Sequence, residues 1–300
     1  MLYDNFRNNG LEGILCRQNL SLGSYTTYGL GGRVKRIYFP KTEEEVAAVF
    51  KYLNDGGEKF FVLGNGSNVL AADGDIDYTV ICTKYLSGII EKDNSLYCLS
   101  GTTVKQLLDF CVQKQIGGFE YLAGIPATVG GLALMNGGIP EKHISEDIIS
   151  VSIFDGNFKD LPNEKCKFGN KHSTMCDINA IIVGVNLSKN AVPREAVKEN
   201  IKKHLLKRRR QPAGKSCGCV FKNPPNQSAG KLIDEAGLKG CKIGGAEVSL
   251  KHANFIINRG GTAADVYRLI KIVKRKVFEF CGVLLEEEVI YIGEFNDFDS

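Results

Sequence analysis

The sequence predicts an α+β protein, because helix patterns and strand patterns alternate along both halves of its 300 residues. The first helix is predicted after Thr42, which forms a capping-box pattern with Glu45 ahead of apolar residues at helical spacing. The last long helix is predicted over TAADVYRLIKIVKRKVFEFCG. Its apolar face consists of Val266, Leu269, Ile270, Val273 and Val277. Short apolar runs such as KFFVLG and YTVICT are typical of buried strands.

The other elements continue this alternation in chain order. Further strands are predicted at SLYCLSG, ISVSIFD, INAIIVGVNL, CGCVF, ANFIIN and VLLEEEVIYIG. Further helices are predicted at TTVKQLLDFCVQKQIGG, VPREAVKENIKKHLLKRRR and SAGKLIDEAG. The segment GIPATVGGLALMNGG fits neither pattern. A domain boundary is predicted near KRRRQP, where the second of these helices ends.

Composition predicts an ordinary soluble globular protein, with 43% hydrophobic and 24% charged residues. A net charge of +4 gives no global basic field, so nucleic acid is not a predicted partner. No run of eighteen apolar residues occurs, so no membrane span is predicted. The first residues show no signal-peptide pattern, and we expect a cytoplasmic protein.

The ten cysteines are scattered, with no CxxC pair, and the four histidines are isolated. Zinc sites usually carry paired cysteines, so no metal site is predicted. The motif CGC places Cys217 and Cys219 on either side of one glycine. A disulfide between them is not expected in a reducing cytosol. The sequence leaves packing and a reactive thiol as the two interpretations.

Two glycine-rich segments are candidates for ligand binding. In GNGSN, residues 64–68, small side chains allow backbone N–H groups to approach a phosphate, although a tight hairpin is the alternative. No helix pattern follows directly, so this is not a dinucleotide-binding GxGxxG motif. The uncharged segment Gly124–Gly138 can lie against a planar ligand or pyrophosphate, or can mark a close backbone crossing. Two such segments in one half favour a ligand.

Three consecutive glutamates occupy the apolar segment LLEEEVIYIG. Strand alternation places Glu286 and Glu288 on one face and Glu287 on the other. A carboxyl group among apolar neighbours has a raised pKa and can act as a hydrogen-bond-donating acid. The alternative is an edge strand protected by charge. The basic run KRRRQP has a similar pair of interpretations, a phosphate site or a helix-end cation cluster.

Several long segments, in this order, resemble the UDP-N-acetylenolpyruvoylglucosamine reductases. They are YTTYGLGG, VLGNGSNVL, FEYLAGIPATVGG, MNGG, FGNKHS, CGCVFKNP, AGKLIDEAGLKG, GGAEVS, HANFIIN and LEEEV. The resemblance covers residues 20–293 and implies an FAD-binding fold of the vanillyl-alcohol-oxidase (PCMH) type with a smaller C-terminal α+β substrate domain. It implies an FAD-binding domain at 1–205 with two subdomains divided near residue 70, a substrate domain at 206–293, and a tail at 294–300. The short length is similar to the family's second type.

The resemblance implies FAD as cofactor and NADPH as co-substrate. We expect the FAD to be noncovalent, since neither glycine-rich segment contains a histidine. The implied FAD-binding residues are Gly64, Asn65, Gly66, Ser67, Asn68, Gly124, Ile125, Pro126, Thr128, Gly130 and Gly131. The implied reaction is reduction of the enolpyruvyl group of UDP-N-acetylglucosamine-enolpyruvate to UDP-N-acetylmuramate. This reaction belongs to peptidoglycan precursor synthesis, and therefore to cell-wall biogenesis, cell shape and cell division.

The resemblance also implies catalytic roles. Cys219 stands where the family usually has a proton-donating serine, and a thiol with a pKa of about 8.5 is the stronger acid. Glu288 matches the catalytic carboxyl group, which must be protonated beside a developing enolate. Lys222 and Asn223 would contact the UDP-sugar. Cys217 has no implied role other than packing.

Three departures from the family pattern bear on function. FGNKHS replaces FGYRxS, so Lys171 stands where an arginine holds the substrate carboxylate, keeping the charge but losing the bidentate fork. GIPATVGG replaces GIPGTVGG, and MNGG replaces MNAG. Two alternatives to a working reductase therefore stay open: a flavin oxidoreductase with a changed acceptor, and a non-catalytic flavin-binding paralogue.

Overall fold

The computed structural model describes residues 11–295, and these divide into two compact units. The described part of unit 1 comprises 11–18, Arg36–Asn65 and Tyr78–Leu206. The described part of unit 2 comprises Asn19–Lys35, Gly66–Asp77 and 207–295. Unit 2 therefore includes the segments Asn19–Lys35 and Gly66–Asp77, both of which lie within the predicted domain at 1–205. The functional division into cofactor and substrate domains stays a prediction, and most of the predicted tail lies outside the described residues.

The described residues form eighteen strands and six α-helices. The strands are β1 Leu15–Ser21, β2 Arg33–Phe39, β3 Phe60–Leu63, β4 Val69–Ala71, β5 Asp75–Cys82, β6 Ile89–Glu91, β7 Ser95–Leu99, β8 Ile116–Gly117, β9 Gly138–Ile139, β10 Lys142–His143, β11 Ile148–Phe154, β12 Phe158–Pro162, β13 Ile181–Ser188, β14 Asn190–Ala191, β15 Lys242–Ile243, β16 Ala246–Val248, β17 Ile256–Asn258 and β18 Ile290–Ile292. The helices are α1 Glu43–Asp55, α2 Val104–Lys114, α3 Val129–Leu134, α4 Arg194–Arg208, α5 Ala229–Glu235 and α6 Ala263–Cys281.

Unit 1 contains a five-stranded sheet with the order β12-β11-β13-β7-β6. Its strands pair antiparallel, and the core beneath it includes Leu107 of α2 and Leu132 of α3. Helix α1 begins where the sequence predicts, because the Thr42 side chain accepts a hydrogen bond from the Glu45 N–H at 3.2 Å. A second sheet has the order β1-β2-β5-β3, with β3 parallel to β5.

Unit 2 is built on α6 and a three-stranded antiparallel sheet with the order β15-β16-β17. All five residues of the predicted apolar face of α6 are buried, and they form one core with Val248 and Ile256. The helix begins with a capping box between Thr262 and Asp265 and ends at Gly282, whose φ is +72°. The prediction for this helix is confirmed.

Three predictions of secondary structure are wrong in part. CGCVF is not a regular strand, since Cys219 and Phe221 make only isolated bridges, to Phe255 and Glu287. The regular part of VLLEEEVIYIG is limited to β18, so the three glutamates precede the strand. GIPATVGGLALMNGG contains the short helix α3. Local sequence patterns did not predict the bridged segments correctly, because isolated bridges depend on partners that are distant in the sequence. Within residues 11–295, no helix is long and apolar enough to span a membrane.

Candidate active site

The turn after β3 packs closely on the second glycine-rich segment of unit 1. The Asn65 side-chain amide donates a hydrogen bond to the Pro126 carbonyl at 2.7 Å. A Cβ atom at Gly64 would lie 2.6 Å from the Thr128 Oγ1 atom, so a side chain at position 64 would collide. The two segments predicted to bind one ligand are therefore in direct contact in unit 1.

The segment from Gly124 to Ala127 leaves backbone and apolar side chains accessible, and Gly124 is exposed with φ +82°. Thr128 then caps α3 by accepting from the Gly131 N–H at 3.3 Å. Gly130 lies directly against Ser100, where a Cβ atom would collide with the serine side chain. An uncharged, accessible surface of this kind, with no side chain at Gly64 or Gly124, fits the planar and pyrophosphate parts of FAD.

Three residues of the GNGSN turn, Gly66 to Asn68, belong to unit 2. Gly66 has φ +61°, and a Cβ atom there would collide with the Tyr25 carbonyl. Ser67 is half-buried. The Asn68 side-chain amide donates to the Glu288 carbonyl at 2.9 Å.

The segment that carries Cys219 pairs with the segment that carries Glu288. The Glu288 N–H donates to the Val220 carbonyl at 2.7 Å, and the Lys222 N–H donates to the Glu286 carbonyl at 2.8 Å. On its other side, the Val220 N–H donates to the Asn254 carbonyl at 2.9 Å. Two residues that are distant in the sequence are thus placed on adjacent segments of unit 2.

Cys217 is a buried, neutral thiol beside both candidate catalytic residues. Burial is the main cause that raises its pKa to about 12, and negative charge on Glu288 or Cys219 acts in the same direction. The fully buried Tyr28 hydroxyl lies beside this thiol, and its interaction with the thiol opposes the rise. Cys219 is more accessible than Cys217. The two thiols of the CGC motif therefore differ in environment, with Cys217 as packing and Cys219 as the accessible group.

Arg208, the last residue of α4, interacts with Cys219 and was not among the predicted site residues. Burial lowers the pKa of its guanidinium, and interaction with a Cys219 thiolate works in the opposite direction. The guanidinium therefore lies within electrostatic range of Cys219. The run KRRRQP gave a signal, but helix-end cations are common, and nothing in the pattern singles out Arg208 among its neighbours.

Lys222 and Asn223 follow Cys219 closely and already have partners within unit 2. The Lys222 ammonium forms an ion pair with Glu286, whose side chain is 72% exposed. The Asn223 side-chain oxygen accepts from the Ala229 N–H at 3.0 Å, at the start of α5. An exposed ion pair is worth little, so Lys222 can exchange Glu286 for a phosphate at small cost.

Glu287 is half-buried and is held by two lysines and a tyrosine hydroxyl. The Tyr291 hydroxyl donates to its carboxylate at 2.7 Å, and Lys271 and Lys274 pair with it at 3.1 Å and 3.2 Å. Burial raises the pKa of Glu287, but the Tyr291 hydrogen bond and the two lysines outweigh burial, so that the net pKa is lowered. This carboxylate is a structural anion.

Glu287→Gln should lower the free energy of unfolding by about 1–3 kcal/mol at pH 7, the usual range for hydrogen bonds to a charged group. A lowered pKa contributes stability above the ordinary value of 4.5, and this stability is lost as the pH falls through the lowered folded-state pKa. Urea unfolding of parent and variant at several pH values measures this. The stability difference should shrink in acid, and Glu286→Gln, the exposed control, should change stability little. A difference independent of pH would contradict the assignment.

Lys171 occupies a strained turn in unit 1. The Gly169 N–H donates to the His172 carbonyl at 2.9 Å, and Lys171 between them has φ +55°. The Asn136 side chain donates to the Gly169 carbonyl at 3.0 Å, which anchors the turn to the end of the glycine-rich segment. A non-glycine residue at positive φ costs about 1–2 kcal/mol, and such strain clusters at functional sites.

Similar proteins carry the same architecture over nearly the whole chain. A protein of Moorella thermoacetica named UDP-N-acetylenolpyruvoylglucosamine reductase is 39% identical over 282 residues, which is 92% of this chain and 93% of the relative. One of Streptococcus pneumoniae with the same name is 35% identical over 95% of this chain and 96% of its own. A crystal structure of the corresponding reductase from Thermus caldophilus superposes with a TM-score of 0.79 at 33% identity, and the match covers 93% of this chain and 98% of that one.

A family model for an FAD binding domain matches residues 34–157, which places the chain in the class of FAD-dependent flavoproteins with the PCMH-type fold. A second model, the C-terminal domain of UDP-N-acetylenolpyruvoylglucosamine reductase, matches residues 210–292. With the identities and coverage above, the chain belongs to the UDP-N-acetylenolpyruvoylglucosamine reductase family. The predictions of fold class and family are confirmed, whereas the role of each site residue stays a prediction.

Proposed function

We propose that this protein reduces the enolpyruvyl group of UDP-N-acetylglucosamine-enolpyruvate to UDP-N-acetylmuramate, with NADPH as electron donor. The observation that carries the proposal is the pairing of the Cys219 and Glu288 segments, through the Glu288 N–H and the Val220 carbonyl, in a chain of this family. This pairing supplies one accessible thiol and one carboxyl group, the two proton-carrying groups that the reaction requires. We place this reaction in the cytoplasm.

When bound, FAD would supply the transfer of a hydride equivalent from NADPH to the terminal carbon of the enolpyruvyl double bond. In the proposal, Gly64, Asn65 and the Gly124–Gly131 segment of unit 1 bind FAD. The support is the contact of Asn65 with Pro126 and the absence of side chains at Gly64 and Gly124. The protein contributes binding and orientation, and it must also control protons at the substrate.

Cys219 protonates the carbon next to the substrate carboxylate. Its thiol gives up the proton as charge develops on that carbon, and Arg208 stabilises the remaining thiolate. Glu288, as a neutral acid, donates a hydrogen bond to the developing enolate, since an ionised carboxylate there would repel it. Lys222 and Asn223 bind the UDP portion, Lys222 as a point charge on phosphate.

The spectrum of the purified protein tests this function. We expect a yellow protein whose flavin passes into the supernatant on acid precipitation, because no histidine occurs in either glycine-rich segment to anchor it covalently. NADPH should bleach the visible absorption under anaerobic conditions, and the enolpyruvyl sugar should restore it. A protein that NADPH bleaches but the sugar does not restore would be an oxidoreductase with another acceptor. A protein that binds flavin without bleaching would be non-catalytic.

Lys171 is proposed to hold the substrate carboxylate with a single charge–charge contact. Lys171→Ala should then lower turnover by about 10- to 100-fold, the effect of losing one charge-assisted hydrogen bond. Lys171→Arg should equal or exceed the parent, because the guanidinium adds a bidentate contact. Lys167→Ala is a matched control, since Lys167 is an exposed lysine with φ +45° close by in the sequence. Steady-state rates that are equal in Lys171→Ala and Lys167→Ala would exclude this role.

A further inference from the structure

The backbone of Glu288 is held from two sides, and on one side the partner is a side chain. The parallel ladder between β4 and β18 begins with the pair Val69 and Ile290, so Glu288 lies just before it. The Ile290 N–H donates to the Asn68 carbonyl at 2.9 Å, as the ladder requires. The Asn68 side-chain amide donates a hydrogen bond to the Glu288 carbonyl at 2.9 Å. This carbonyl lies two residues before Ile290, the first residue of β18 that pairs with β4.

We propose that Asn68 is a positioning residue for Glu288, and this inference rests on the proposed function. The Glu288 N–H is bound to the Val220 carbonyl at 2.7 Å, and its carbonyl is bound to Asn68. A residue whose N–H and C=O are both fixed has a fixed direction for its Cα–Cβ bond. Asn68 therefore helps to fix the direction in which the Glu288 side chain leaves the backbone, relative to the Cys219 segment.

The neighbouring residues explain why this contact is needed. Glu288 lies outside regular strand structure, in a short irregular stretch between the Glu287 bridge and β18. Backbone carbonyl groups that are withdrawn from water need a partner, and the segment has no other strand on that side at this position. Glu287 is anchored by Lys271 and Lys274 on the other side. Asn68 is the contact that completes the fixation of Glu288 itself.

This assignment differs from the pyrophosphate role that the family resemblance implies for Asn68. Two asparagines of the same turn donate side-chain hydrogen bonds to backbone carbonyl groups, and their targets differ. Asn65 donates to Pro126 of the cofactor segment, whereas Asn68 donates to Glu288. Asn65 and Asn68 thus form a matched pair, one predicted to affect cofactor affinity and the other the proton chemistry.

The experiment compares Asn68→Asp, Asn68→Ala and Asn65→Asp with the parent. Aspartate keeps the shape of asparagine but, when ionised, cannot donate to the carbonyl. For Asn68→Asp we expect an FAD dissociation constant, measured on the apoprotein by flavin fluorescence, within about threefold of the parent. With the sugar, the rate constant of reoxidation should fall about 10- to 100-fold at unchanged substrate affinity, as for a misplaced catalytic group. Asn65→Asp, whose target is the Pro126 carbonyl of the cofactor segment, should instead weaken FAD binding.

The pH profile separates positioning from general damage. A protonated aspartic acid again carries a hydrogen that it can donate to the Glu288 carbonyl, so Asn68→Asp should recover towards the parental rate as the pH falls. Asn68→Ala has no such group and should not recover. Weakened FAD binding in Asn68→Asp with a parental reoxidation rate would overturn the proposal, and so would equal pH profiles for Asn68→Asp and Asn68→Ala.

Hydrogen exchange distinguishes this failure from a failure of the proposed function. The peptide that spans residues 286–290 should exchange faster in Asn68→Ala than in the parent, whatever the acceptor of the enzyme is. Faster exchange in a protein that never reduces the sugar would contradict the proposed function and support the contact. Unchanged exchange in that peptide would overturn the contact itself.

Discussion

Cys219→Ala is expected to slow the reaction with the enolpyruvyl sugar by about a hundred- to ten-thousand-fold, the range for loss of a positioned general acid. Reduction by NADPH does not use this proton and should proceed near the parental rate. Stopped-flow absorbance of the flavin measures the two half-reactions separately. If the reduced variant reacts with the sugar as fast as the parent, the proton has another source.

Further experiments test whether this effect comes from the Cys219 thiol. Cys219→Ser should recover much of the loss, because serine is the usual family residue at this position. Iodoacetamide should block the sugar half-reaction in the parent and spare it in Cys219→Ser. Burial raises the pKa of Cys217 to about 12, so that thiol is neutral and unreactive at pH 7. Cys217→Ala should therefore leave both half-reactions near the parental rates while lowering stability.

Glu288→Ala is expected to lower the rate of the sugar half-reaction by about 100- to 1000-fold, the loss seen when one donor to a developing oxyanion is removed. Glu288→Gln should lose less, because a neutral amide still donates a hydrogen bond from nearly the same place. The order of the two variants tests whether the carboxyl group acts as a donor. If Glu288→Gln were slower than Glu288→Ala, a neutral donor would not be what the site requires.

The neighbouring glutamates provide matched controls for Glu288. Glu286 is exposed and pairs with Lys222, whereas Glu287 is half-buried and pairs with Lys271 and Lys274. Glu286→Gln should change the affinity for the sugar at most, through Lys222. Glu287→Gln should lower stability with little change in the rate constant of the folded enzyme. Single-turnover rates and urea midpoints of the three variants separate chemistry, binding and stability within one tripeptide.

Much of the fold could be predicted because its helices and longer strands have local signals. Helix α6 has five apolar residues on one face and a capping box, and these features act within a few residues of each other. The irregular pairing of CGCVF, which the sequence predicts as a regular strand, could not be predicted in the same way. Its backbone bonds go to Asn254 and Glu288, more than thirty residues away, and no periodicity in the segment encodes those partners.

The site shows the same division between local and distant signals. Glycines 64 and 124 were identifiable, since close approach and positive φ select glycine directly. Arg208 and the contact of Asn68 with Glu288 were not identifiable, because each is created by segments brought together in unit 2. Strand alternation does not apply to the three glutamates, because they precede β18, and Glu287 is instead held by Lys271 and Lys274.

The most direct test of the central claim is the mass of the sugar after incubation with the purified protein, FAD and NADPH. The account predicts that UDP-N-acetylglucosamine-enolpyruvate gains two hydrogen atoms and that one NADPH is consumed for each product molecule formed. Both changes should be nearly absent in Cys219→Ala over the same time. NADPH consumption that leaves the mass of the sugar unchanged would contradict the account.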